Sequence, residues 1–225
     1  MRIIVVDDFG TMRQIVRTAL VNLGFTDIVE ARHGKEALDK IIANHDIAGK
    51  KIEMGIIDWN MPIMTGVQLL QKIREDKRID NFIFLMLTAE QEGDKVVTAL
   101  QSGVDEYLVK PFNHGTFKGK LVNIAKKKLG KIEKEIEEFF LKNAEFESKP
   151  VDADSSEKEK ITEFKKRILQ AGEIIPWSCL GPLALGRMYM QFKGYEKAEV
   201  QLRKAVSIEF GVAEAHKLLS PVQRQ

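Results

Sequence analysis

Over the first 128 residues, short apolar runs alternate five times with amphipathic helical stretches, and this alternation constrains the fold more than any other feature. Ile3–Val6 is continuously apolar, as a strand buried on both faces must be. Residues 11–23 then space Met12, Ile15, Val16, Ala19, Leu20 and Leu23 at helical intervals, and Gly24 closes that helix as a C-terminal glycine does. A strand at 27–31 precedes a helix carrying Ala37, Leu38, Ile41 and Ile42. Glu53–Asp58 predicts a third strand after a long loop, and Met64–Glu75 a helix through Val67, Leu70 and Ile73. Phe82–Leu87 is the most apolar strand and belongs at the centre. Residues 91–102 predict a helix, Glu106–Val109 a strand, and Asn113 onward a helix. Parallel strands need crossover connections, which helices supply, so the pattern predicts an α/β fold built on a doubly wound five-stranded parallel sheet.

Strand signals stop after residue 128. Gly130–Lys149 sets Ile132, Ile136, Phe139 and Phe140 among many Glu and Lys. That is an amphipathic helix able to continue the preceding one, with Gly130 as a weak joint. Its apolar positions suit pairing, which allows a homodimer, and equally suit packing against its own chain. The polar stretch 150–157 reads as a linker, Lys158–Ala171 resumes helix, and the remainder is all-α. The expected organisation is therefore a domain over 1–128, a connector helix over 129–149 and a helical segment over 150–225.

Composition narrows the partners. With 35 basic and 33 acidic residues the net charge is +2, which gives no overall drive toward nucleic acid. No DNA-reading motif or concentrated basic face is present, and Lys126–Lys128 reads as a solvated helix end. No stretch approaches the roughly 18 apolar residues of a membrane span, and Ile3–Val6 is too short for a signal peptide. A cytoplasmic protein without membrane partners is expected. The single Cys179 cannot form an internal disulfide and reads as a buried small apolar residue. His33, His45, His114 and His216 lack metal-ligand spacing and read as surface residues.

The chemistry lies where the predicted strands end. Asp7 and Asp8 end the first, Asp58 the third, Thr88 the fourth and Lys110 the fifth. In an open parallel sheet these carboxyl ends gather at one edge, where ligands bind. Each residue alone has an ordinary structural explanation: helix capping by Asp7 and Asp8, a turn cap at Asp58, a strand-end threonine, a surface lysine. Together they form a carboxylate cluster that repels itself unless protonated or holding a cation. Hard oxygen ligands suit Mg²⁺ (or Mn²⁺). A carboxylate can attack a phosphoryl group, with a metal, a hydroxyl and an ammonium stabilising the transferring oxygens. Asp58, Thr88 and Lys110 would supply nucleophile, hydroxyl and cation.

The motifs VVDDFGTMRQIVR, DWNMP, TAE and YLVKPF resemble the response-regulator receiver domain of CheY-like type, over about residues 1–128. The resemblance implies the flavodoxin-like receiver fold and phosphorylation of Asp58 by a histidine kinase or phosphotransfer protein. It implies direct Mg²⁺ binding by Asp8, Asp58 and the Asn60 backbone carbonyl, with Asp7 helping through water. It further implies that Lys110 contacts the phosphoryl group, that Lys110–Pro111 is cis, and that Thr88 and Tyr107 form a switch pair. Asn60 and Glu90 match positions that tune dephosphorylation. The motifs point toward chemotaxis-like two-component signalling, while the chain's extension past 128 keeps a motor-binding role from being carried over.

Farther on, LALGRMYMQFKGYEKAEVQLRKAVSIEF places Leu185, Gly186, Tyr189, Gly194, Tyr195, Ala198, Leu202 and Ala205 in a spacing that resembles one tetratricopeptide repeat. Gly194 lies one place from the usual turn position, and Ala213–Leu219 reads as the start of a second repeat. One repeat cannot bury its apolar face alone, so either the preceding helices cover it or it belongs to a truncated array; the latter is the favoured expectation, presenting a surface for an unknown protein partner. The leading reading is a response regulator, not an enzyme beyond its own phosphorylation and dephosphorylation, whose Asp58 controls protein binding by the helical segment. The alternatives are a phosphorylation-independent scaffold and an Asp-nucleophile phosphotransferase. The latter fits poorly, because Asn60 stands where a second carboxylate would be needed.

Overall fold

The computed structural model describes residues 1–79, 81–89, 103–142, 155–208 and 215–219. Five strands, β1 (Ile3–Val6), β2 (Ile28–Ala31), β3 (Met54–Asp58), β4 (Ile83–Ala89) and β5 (Glu106–Lys110), form one parallel sheet in the order β2-β1-β3-β4-β5. Around it lie α1 (Gly10–Asn22), α2 (Gly34–His45) and α3 (Gly66–Glu75), and α4 (His114–Lys142) follows β5. This is the expected α/β receiver architecture, followed by all-helical chain. The predicted helix over 91–102, the end of the predicted connector helix over 143–149 and the linker residues 150–154 lie outside the described residues.

Register fixes what each face carries. Val6 pairs with Ile57, Ile57 with Met86, and Met86 with Tyr107. These residues join Ile4 and Phe84 in one core with Ala37 and Ile41 of α2 and Leu69, Leu70 and Ile73 of α3. The opposite parity, Ile3, Val5, Ile56, Leu85, Leu87 and Leu108, is equally buried, as are Val16 and Leu20 of α1 and Phe117 and Leu121 of α4. A sheet covered on both faces accounts for continuous rather than alternating apolar strands.

Local chemistry sets several boundaries. Gly24 at φ 92° closes α1: its N–H donates to the Val21 carbonyl and that of Phe25 to the Leu20 carbonyl, the Schellman pair of bonds. The helix expected from Met64 begins two residues later, at Gly66. Thr65 caps it, accepting from the Gln68 N–H at 3.2 Å, while the Gln68 side chain accepts from the Thr65 N–H at 2.9 Å. That reciprocal capping box outweighs the apolar periodicity of Met64. The fourth strand, expected to end at Leu87, continues to Ala89 because Thr88 and Ala89 pair with Val109 and Lys110.

The chain divides into two compact units, Met1–Leu121 and Val122–Gln225. Helix α4 runs unbroken through Gly130, so the expected weak joint is continuous helix. In the second unit are α5 (Ser155–Glu173), α6 (Leu180–Gln191) and α7 (Tyr195–Val206). Helix α5 takes in Ser155–Glu157, which the polar composition had placed in a linker. Leu129, Ile132 and Ile136 of α4 pack with Phe164, Ile168, Ala184, Leu185, Tyr189 and Ala198. Two arginines brace this core: Arg167 grips Glu135 at 2.6 and 2.9 Å, and Arg187 reaches Glu133 at 2.7 Å. A β-carbon at Gly186 would lie 2.6 Å from Leu202, so the glycine is what lets α6 and α7 approach. Cys179 is buried and free, as expected. The residue in left-handed backbone at the α6–α7 turn is Lys193 (φ 55°), with Gly194 next to it at φ −85°.

Candidate functional site

The carboxyl ends of β1, β3 and β5 bring Asp7, Asp8, Asp58 and Lys110 together. One carboxylate oxygen from each aspartate lies within 4.8 Å of the others, and among the described residues no other group of three acidic, histidine or cysteine side chains is gathered so. The Lys110 ammonium stands between two of them, 2.7 Å from Asp7 Oδ2 and 2.6 Å from Asp58 Oδ1. Strand parity explains the convergence. Val5 pairs with Ile56, Asp58 with Leu87 and Ala89 with Lys110, which puts Asp7, Asp58 and Lys110 on one face of the sheet.

Burial differs sharply among the three acids. Asp7 is 0% and Asp58 8% exposed, whereas Asp8 is open to solvent. Burial pushes the Asp58 carboxyl up from its ordinary value, against the hydrogen bond and charge of Lys110, while the charges of Asp7 and Asp8 add to the rise. Desolvation works against the Lys110 ammonium, yet its bonds to Asp58 and Asp7 hold it above the usual lysine value. With all four groups ionised, three carboxylates against one ammonium leave two formal negative charges, matching a divalent cation. All donors are hard oxygens, so the residues present fit Mg²⁺. His33, His45, His114 and His216 stand outside this cluster.

The loop after Asp58 is stapled. The Trp59 N–H donates to the Leu87 carbonyl at 3.0 Å, the Gly66 N–H to the Trp59 carbonyl at 3.0 Å, and the Gly34 N–H to the Met64 carbonyl at 3.1 Å. A β-carbon at Gly66 would press into the Asp58 carbonyl oxygen, so only glycine lets α3 start so near the site. Asn60 lies in this loop. Ile63 is 77% exposed and holds φ 68°, an uncommon state for a β-branched residue.

Thr88 is buried at the penultimate position of β4, and its hydroxyl contacts the Ala89 carbonyl at 3.4 Å. Tyr107 is half-buried, with the Lys120 ammonium 4.3 Å from its ring centroid; Lys120 also pairs with the buried Glu106 at 3.2 Å. The Lys110–Pro111 peptide is cis. Glu90 lies outside the described residues. One residue that the sequence did not single out touches the acidic loop: Arg13 Nη1 donates to the Asp7 carbonyl at 2.8 Å. Helical periodicity carries no signal for a side chain that reaches back beyond its own helix.

A parallel sheet with this acidic cluster at its carboxyl edge defines the class, and the comparisons agree: residues 3–121 match the family described as Response regulator receiver domain. The chain belongs to that family. Its receiver portion is 44% identical over 121 residues to Chemotaxis protein CheY1 of Helicobacter pylori, covering 54% of this chain and 94% of that protein. It is 41% identical over 124 residues to a Chemotaxis protein CheY homolog of Campylobacter jejuni, covering 55% and 92%. Among solved structures, Vibrio cholerae chemotaxis protein CheY4 matches with 31% identity and a TM-score of 0.48, covering 55% of this chain and 97% of that one. Receiver domains are signalling modules that interact with histidine kinases or phosphotransfer proteins and bind Mg²⁺ at an acidic pocket, and Asp7, Asp8 and Asp58 form such a pocket here. No helix among the described residues is long and apolar enough to cross a membrane.

Proposed function

We propose that this chain is a two-component response regulator whose Asp58 accepts a phosphoryl group and thereby alters protein binding by its helical segment. The observation that supports it most is the shared hold of Asp7 and Asp58 on one lysine, with Asp8 in the same cluster. Asp58 is mostly covered yet keeps a path to solvent, and Lys110 at 2.6 Å favours its ionised, nucleophilic form.

Asp8, Asp58 and the Asn60 backbone carbonyl would hold Mg²⁺, with Asp7 assisting. When bound, the cation supplies positive charge where the phosphoryl oxygens gather. An Asp58 carboxylate oxygen attacks phosphorus, the phosphorus–nitrogen bond of a phosphohistidine donor breaks, and the imidazole leaves with a proton. Lys110 exchanges part of its contact with Asp58 for a phosphoryl oxygen, and the Thr88 hydroxyl donates to another. Water later attacks the acyl phosphate, releasing phosphate and restoring Asp58; Asn60 and Glu90 set how fast. Thr88, turning toward the phosphoryl group, frees space for Tyr107 to move inward. Residues 1–128 act as the receiver, 129–149 as the connector, and the segment from about 150 as a tetratricopeptide-type output unit. Relatives named as chemotaxis proteins favour a chemotaxis-like signalling setting.

Incubation with a small phosphodonor and Mg²⁺ tests this reading. One stoichiometric label per chain is expected, absent in Asp58→Asn. Steady release of phosphate from ordinary phosphoesters, which lack the activated leaving group that Asp58 needs, would instead identify a phosphotransferase or phosphatase.

A further inference from the structure

Asp7 and Asp8 are held very differently. The Asp7 N–H donates to the Ala31 carbonyl at 3.2 Å, its Oδ1 accepts from the Phe9 N–H at 2.9 Å, and its Oδ2 accepts from Lys110 at 2.7 Å. Asp8 has none of this. Among the described residues its carboxylate accepts no hydrogen bond, so the surrounding structure acts on Asp8 through its backbone. The group that grips this backbone is Arg13, in the first turns of α1. Its Nη1 donates to the Asp7 carbonyl at 2.8 Å and, more weakly, to the Asp8 carbonyl at 3.4 Å. Its Nε donates to Glu30 Oε2 on β2 at 3.1 Å. The side chain is only 16% exposed, so the planar guanidinium fork is fixed between the acidic loop and the neighbouring strand.

We propose that Arg13 is a positioning residue for the divalent-cation site: anchored by Glu30, it holds the Asp7 and Asp8 backbone so that both carboxylates face the pocket. This rests on reading the acidic cluster as a cation site. The guanidinium acts on a cation in two opposite ways, and magnitudes decide between them. As a positive charge it repels the ion, an effect weakened by Glu30 and by salt, so its removal on that ground tightens binding by a small factor. As the group that orients the ligands it favours the ion, and losing such a partner costs about 10- to 100-fold in affinity. Alignment is the larger effect, so loss of Arg13 weakens binding. The sign of the change separates positioning from charge.

The test is MgCl₂ binding to the whole chain at constant ionic strength, read by the emission of Trp59, which is buried beside Asp58. Wild type is compared with Arg13→Ala, Arg13→Gln and Arg13→Lys. The expected result is an apparent Kd about 10-fold or more higher in Arg13→Ala. Arg13→Gln, which keeps an N–H donor without the charge, should recover part of the loss. The Mg²⁺-induced rise in Tm should shrink in the same order. A residue that serves the fold alone would lower the Tm without cation and leave the Kd unchanged. Should Arg13→Ala not fold, Gln and Lys carry the comparison. Variants that bind Mg²⁺ as tightly as wild type, or more tightly, overturn the inference while the cation site stands. A wild type that binds no Mg²⁺ overturns both.

Discussion

Thr88 and Tyr107 share one face of the sheet: Met86 pairs with Tyr107 and Thr88 with Val109, which sets the two side chains on neighbouring strands with the same parity. Asp58 has the opposite parity, since it pairs with Leu87. On the proposed reading, a phosphoryl group on Asp58 would reach Tyr107 through a residue at the strand edge that can turn, and Thr88 occupies that place. With beryllofluoride and Mg²⁺ as a phosphoryl mimic, the Tyr107 ring resonances should shift in wild type and stay put in Thr88→Ala, which should still bind the mimic. Equal shifts in both proteins would remove Thr88 from the relay, and none in either would favour a scaffold that works without phosphorylation.

Lys110 pairs with two buried carboxylates, and removing one partner of such a group costs about 3 kcal/mol or more. Lys110→Met should lower the urea unfolding free energy by about that amount without metal. Added Mg²⁺ should restore more stability to the variant than to wild type, because the cation supplies the missing positive charge. Chemical denaturation with and without MgCl₂ checks both parts.

The left-handed backbone at Ile63 offers a gain. Asparagine tolerates that conformation better than a β-branched side chain, and Ile63 is 77% exposed, so little packing is lost. Ile63→Asn should stabilise the first unit by about 1 kcal/mol, read as a higher urea midpoint at unchanged slope.

Acid should loosen the helical unit through Glu135. The hydrogen bonds and charge of Arg167 hold its carboxyl below the ordinary glutamate value of 4.5 despite opposing burial. A carboxylate with a depressed folded value stabilises above its unfolded value and loses that contribution as pH falls through the folded one. The Arg167 and Glu135 side chains are 26% and 35% exposed, so solvent screening reduces the effect to about 1 kcal/mol. Glu135→Gln should be less stable than wild type by that amount near neutrality, and the difference should fade below pH 4.5.

The doubly wound sheet was legible in the sequence because buried parallel strands such as Ile3–Val6 and Ile83–Leu87 are written as unbroken apolar runs. The acidic site was legible because its members stand at strand ends, whose common edge follows from topology. Boundaries set by side chain to backbone bonds were harder. Thr65 moved the start of α3, and Thr88 and Ala89 lengthened β4 through pairing with a strand far along the chain. At the α6–α7 turn, Gly194 stood one place from the usual turn position, and the left-handed residue is the preceding Lys193, with the Gly194 N–H bonded to the Tyr189 carbonyl at 2.8 Å. Arg13 was invisible for a related reason: its acceptors in the acidic loop are backbone carbonyls, which every residue carries and no pattern marks.

The most direct measurement locates the phosphoryl group. Protein treated with acetyl phosphate and Mg²⁺ is reduced with borohydride, which converts an aspartyl phosphate to homoserine, and is then digested and sequenced by mass spectrometry. Homoserine at position 58 and nowhere else is the predicted result. Homoserine at position 7 or 8, or none while position 58 remains an unmodified aspartate, would contradict the assignment of Asp58 as phosphoacceptor.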